Sequence, residues 1–169
     1  MKKYIKNTLV LLAFISISIT SFGQSIFDKL ENIEEVSSVI VNKDAFEILS
    51  KFKVDADDNE AIEIFTMIKE LEELKMFSTK NTSIATQMEK MVQQTVVKNK
   101  LVALMRANDQ NSRVKIYVKS TENKNFVSEV LLFIKDKNTE KGTPESIIVS
   151  LTGIIDMNKM SKIADTFSK

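Results

Sequence analysis

The chain has 169 residues, and its 24 Lys and Arg are almost cancelled by 23 Asp and Glu. That leaves too little net charge to hold nucleic acid or an anionic membrane surface. There is no His, Cys or Trp, and only three Gly and one Pro, which excludes a His-assisted triad, imidazole or thiolate metal ligation, disulfides and both glycine-rich phosphate loops.

The N-terminal stretch carries Lys2, Lys3 and Lys6 and no acid, followed by an apolar run from Leu9 to Ile19. Ser21 and Gly23 then give the small-x-small pattern that precedes a cut. This is the layout of a secretory signal peptide over residues 1–23, cleaved between Gly23 and Gln24. A membrane span needs about 20 apolar residues, and this run is shorter and broken by Ser16 and Ser18. The expected product is exported, periplasmic or extracellular, with no stable membrane span after cleavage. Losing Lys2, Lys3 and Lys6 leaves 21 basic against 23 acidic residues, a net charge of −2. The remainder is long enough for one domain with a real core. Without cysteine, that core must hold by apolar packing.

Residues 25–169 show no linker, repeat or low-complexity tract and read as a single domain. Ser25 to Asn32 is a short helical lead-in with Ile26, Phe27 and Leu30 on one side. Val36 to Val41 is β-branched and reads as a strand. Asn42 is placed to cap a short helix with Ala45, Phe46, Leu49 and Phe52 on one face. After an acidic loop, Asp55 to Asn59, helical periodicity over 60–72 aligns Ala61, Ile64, Phe65, Ile68 and Leu71. Leu74 to Thr79 reads as a strand. The longest helix covers about 83–99, with Ile84, Met88, Met91, Val92 and Val96 in phase.

The period then changes. Leu101 to Arg106 is a compact apolar run. Arg113 to Lys119 alternates, with Val114, Ile116 and Val118 on one side and Arg113, Lys115, Tyr117 and Lys119 on the other. Two more strands cover 126–135 and 146–153, joined by short polar segments that favour an antiparallel meander. Asp156 is placed to cap a last helix bearing Met157, Met160, Ile163, Ala164 and Phe167. The expected class is α+β: a mixed, mostly antiparallel sheet of about five or six strands with helices packed on one face. The Arg113–Lys119 polar side is expected to be its wet side.

Several motifs invite chemistry. Asp55, Asp57, Asp58 and Asn59 resemble the start of a calcium loop, but Glu60 and Thr66 stand where the EF-hand pattern needs Gly and Glu. The ordinary reading is an acidic loop at a helix N-terminus. Met88 and Met91, like Met157 and Met160, have the spacing of soft Cu(I) ligands, yet each pair lies in phase with an apolar stripe, where Met fills core gaps. Ser50 and Lys53 fit a Ser-x-x-Lys spacing that arises readily by chance. No catalytic residue, cofactor or metal is assigned. The one surface singled out is the stripe Arg113, Lys115, Tyr117 and Lys119, basic with one aromatic, suited to an acidic partner. Its plain reading is an exposed strand kept soluble by lysine.

The signal layout, Ile26-Phe27-Asp28-Lys29, Val36-Ser37-Ser38-Val39 with Phe46 downstream, and Ile148 to Gly153 followed by Ile155-Asp156 carry a resemblance. Together they resemble the small exported bacterial proteins grouped as domain of unknown function 4252. The resemblance implies an envelope location in Gram-negative-type bacteria and brings no catalytic residues. Gly153 also has a reading of its own: a positive φ or a close backbone approach at the end of the last strand. The expected function is a non-enzymatic binding or accessory module of the cell envelope whose partner is another envelope protein. The alternatives are an envelope signalling or stress-response component and a carboxylate-based hydrolase.

Overall fold

The computed structural model of the chain describes residues 25–51, 66–108, 110–136 and 145–159. The signal segment with its Gly23–Gln24 junction, the acidic loop at 55–59, Lys53 of the Ser-x-x-Lys pair and the C-terminal stretch with Met160 lie outside the described residues.

A 3-10 turn, Ile26–Leu30, leads into β1 (Val36–Asn42) and α1 (Lys43–Leu49). After residues 66–68, which are helical, come β2 (Leu71–Thr79), α2 (Thr82–Asn99), β3 (Val102–Asn108), β4 (Ser112–Ser120), β5 (Phe126–Asp136) and β6 (Ser146–Asp156). The strands form one six-stranded sheet in the order β1-β2-β6-β5-β4-β3. Every pairing within it is antiparallel. The expected α+β class is therefore observed.

Local chemistry sets the element ends. The Asn42 side chain accepts from the Ala45 N–H at 2.9 Å and opens α1. Asn81 does the same for α2, accepting from Ser83 and Ile84. These bonds satisfy donors that a helix N-terminus leaves unpaired. The 18 residues of α2 span about 27 Å. That length lets the helix cross the sheet from β2, next to one edge, to β3 at the other.

Strand alternation divides the core between the two faces. Met88 and Val92 of α2 pack down on Phe27, Leu30, Phe77, Leu131, Phe133 and Ile148, and each of these residues is at most 1 % exposed. Met88 is thus a core filler, in phase with its helix stripe. On the opposite face, Phe46 of α1 packs with Leu71, Val118, Val127 and Ile155. The helices therefore flank both faces of the sheet, where the sequence reading put them on one. The reason is Phe46: it is the one buried residue of α1, and it fills against the face that α2 leaves open.

Candidate interaction surface

The sheet register builds an apolar surface that no single strand reveals. Val39, Met76, Val149, Leu132, Ile116 and Met105 stand in one cross-strand row, one residue from each strand. A second row holds Val41, Leu74, Leu151, Val130, Val118 and Val102. Neither row contains a charged or polar side chain. Phe46 packs over part of the second row. The first row keeps substantial exposure: Val39 46 %, Met76 38 % and Met105 46 %, with its three central members half-buried. The two rows together make a contiguous apolar patch on the face of the sheet away from α2.

The surface continues to the edge. All seven residues of β3 are exposed. The β3–β4 register shifts between Ala103 and Met105, leaving Leu104 unpaired across the ladder and 54 % exposed. Such an irregular edge resists continuous strand addition. β3 therefore presents exposed side chains rather than a regular backbone template.

The basic stripe expected to form the wet face is on the side that α2 covers. Tyr117 is 3 % exposed and belongs to the main core. The Lys115 Nζ lies 3.1 Å from Glu89 Oε1 and 5.8 Å from the centroid of the Phe133 ring. Arg113 and Lys135 each reach Glu89 at 3.4 Å. Lys119 is exposed. The structure thus gathers Arg113 and Lys115 around one glutamate, buries Tyr117 and leaves Lys119 apart. The expectation of a single exposed stripe is corrected: Lys and Arg bury their stems while their charged ends reach an acid at the margin, so a polar alternation does not identify the solvent side. Glu89 is the acid that α2 contributes, and nothing in the spacing of β4 pointed to it.

Two groups titrate away from their ordinary values. Burial opposes ionisation of Glu89, but the hydrogen bond from Lys115 and the charges of Lys115 and Lys135 outweigh it and hold the carboxyl below the usual range. Burial likewise opposes the charge on Lys75. Its hydrogen bonds to Asp28, at 2.8 Å, and to Glu73, with an ion-pair distance of 3.0 Å, win and raise its pKa. Among the described residues no group of three or more His, Cys, Asp or Glu is disposed to hold a metal ion. No helix of the described residues is long and apolar enough to cross a membrane.

A family model described as a domain of unknown function (DUF4252) matches residues 29–163. No curated protein matches the chain, and no solved structure matches it.

Proposed function

Because the chain belongs to the family described as a domain of unknown function (DUF4252), which assigns no activity, we propose from the chain's own residues that it is an exported, non-enzymatic binding module of the bacterial cell envelope. Its partner is another envelope protein that presents an uncharged apolar face. The observation that carries this reading is the cross-strand row from Val39 to Met105, exposed at both ends and free of charge along its length. Apolar burial contributes roughly 25 cal/mol per Å², so a partner gains most by covering that row. The basic N-terminal segment followed by an apolar run and a small-x-small site supports export.

A photo-crosslinking residue at position 76, expressed from the full-length gene in the native envelope, tests both parts. The expected result is a mature chain beginning at Gln24 and one dominant crosslinked envelope protein, lost in a Val39→Lys, Met105→Lys double variant that still folds. Crosslinks confined to residues of the same chain would overturn the partner assignment. An intact Met1 in the cytosol would overturn the location. Turnover in a screen of glycosidic and ester substrates would overturn the non-enzymatic reading.

A further inference from the structure

On the opposite side of the sheet, under the C-terminal half of α2, lies a cavity of about 150 Å³. Glu73, Thr152 and Glu129 form one cross-strand row on β2, β6 and β5 and line it from below. Thr95 and Asn99, one helical turn apart on α2, line it from above. The lining grades from buried Thr95 and Glu129 to exposed Lys98.

Two of these groups are poorly matched by the protein itself. Glu129 is 7 % exposed, and both its carboxyl oxygens accept from the same Asn99 Nδ2, at 3.0 Å each. A carboxylate has about four acceptor positions, and among the described residues no cation pairs with this one. Glu73 differs, since Lys75 pairs with it at 3.0 Å. Independently, Thr95 is 5 % exposed, and among the described residues its Oγ1 has no hydrogen-bond partner. Burying a carboxylate without a counter-charge, or a hydroxyl without a partner, is unfavourable. Both faults face the same cavity.

We propose that this cavity binds a small amino alcohol. The primary ammonium sits against Glu129, and the hydroxyl meets Thr95 and the Thr152 side. Size supports the assignment, since a 150 Å³ cavity accommodates a molecule of about six heavy atoms. Charge supports it too: among the described residues no cation pairs with Glu129, and an ammonium supplies both the counter-charge and the donors its free lone pairs accept. This site is separate from the apolar rows, so its fate does not decide the partner reading.

The test uses the mature chain and ethanolamine as the probe, followed by amide and Thr methyl chemical shifts. Saturable shifts centred on Thr95, Asn99 and Glu129 are expected, with glycerol, the uncharged comparison, at least about tenfold weaker. Glu129→Gln, which keeps shape and removes the charge, weakens ethanolamine by about tenfold or more. Thr95→Val weakens it by about threefold and keeps the fold, so it carries the test if the Gln variant does not fold. Absence of saturable shifts at about 50 mM ethanolamine, glycerol binding as well as ethanolamine, or unchanged affinity in both variants would overturn the proposal. So would binding that appears only in Lys98→Met, because the cavity would then be filled by the chain's own Lys98 ammonium.

Discussion

The backbone carbonyl of Glu70 stands where a Cβ on Gly153 would have to be, and it accepts a hydrogen bond from the adjacent Ile154 N–H at 2.8 Å. The same imagined Cβ would meet the Leu71 Cα at 2.7 Å and the Glu72 N at 2.9 Å. Gly153 also has φ +134°, a conformation side chains rarely adopt. These contacts are backbone, so nothing flexible can yield. Gly153→Ala should cost on the order of 3 kcal/mol and lower Tm by roughly 6–12 °C. Thermal unfolding followed by circular dichroism checks it, and an unchanged Tm would show that the β2–β6 junction relaxes freely.

Lys100 presents the opposite situation. It ends α2 at φ 57°, ψ 44°, the left-handed conformation, without being glycine. Its N–H bonds the Val97 carbonyl at 3.3 Å and the Leu101 N–H bonds that of Val96 at 2.9 Å, the double closure that favours Gly at this position. Lys100 is exposed, so its side chain is not needed for packing. Lys100→Gly should raise stability by about 0.5–1 kcal/mol, whereas Lys100→Ala should not. Denaturant midpoints of the two variants, measured side by side, separate the backbone effect from loss of the charge.

Of these two positions only Gly153 could be read from the local sequence; the left-handed Lys100 carries no glycine to mark it. Gly153 was legible because positive φ and close approach leave one residue type. The Asn42 cap and the α2 stripe through Met88 and Val92 were legible because their causes lie within a turn or two of chain. Of the helix expected over 60–72, residues 60–65 lie outside the described residues, 66–68 are helical and the end is strand. Leu71 fits the stripe, but pairing with Gly153 draws it into β2, a tertiary contact that overrides local preference. The candidate surface was hidden for a related reason. Val114, Ile116 and Val118 are a visible alternation, yet which side faces water depends on α2 bringing Glu89 to Arg113 and Lys115. The six-strand apolar row depends on a register that no single strand encodes.

Glu89 gives a prediction with a defined pH range. Its folded-state pKa lies below the ordinary value of 4.5. A depressed carboxyl contributes stability that is present above its unfolded pKa and lost as pH falls through the folded one. Glu89→Gln should therefore destabilise the protein by roughly 1–2 kcal/mol at pH 7, partly by leaving Arg113, Lys115 and Lys135 crowded together. The difference from the parent should shrink below pH 4.5 and vanish in stronger acid. A penalty that persists unchanged in acid would mean Glu89 acts through shape rather than charge.

Lys75 should respond at the other end of the scale. Its Nζ ties Asp28 of the 3-10 turn to β2 across 47 residues of chain, and Glu73 shares the same ammonium. Its folded pKa lies above the ordinary 10.5. A raised lysine contributes stability that is complete below its unfolded pKa and is lost as pH rises through the folded one. Lys75→Met keeps the aliphatic stem and removes the charge. It should cost about 1–2 kcal/mol, with a constant difference from the parent between pH 6 and 9 that narrows only above pH 10.5. The loss should be local first. Amide exchange at Asp28 to Leu30 should accelerate more than exchange in β5, because the tether holds the turn while Leu131 and Phe133 are held by the core. Equal acceleration in both places would assign Lys75 to the global fold instead of to docking of the N-terminal turn.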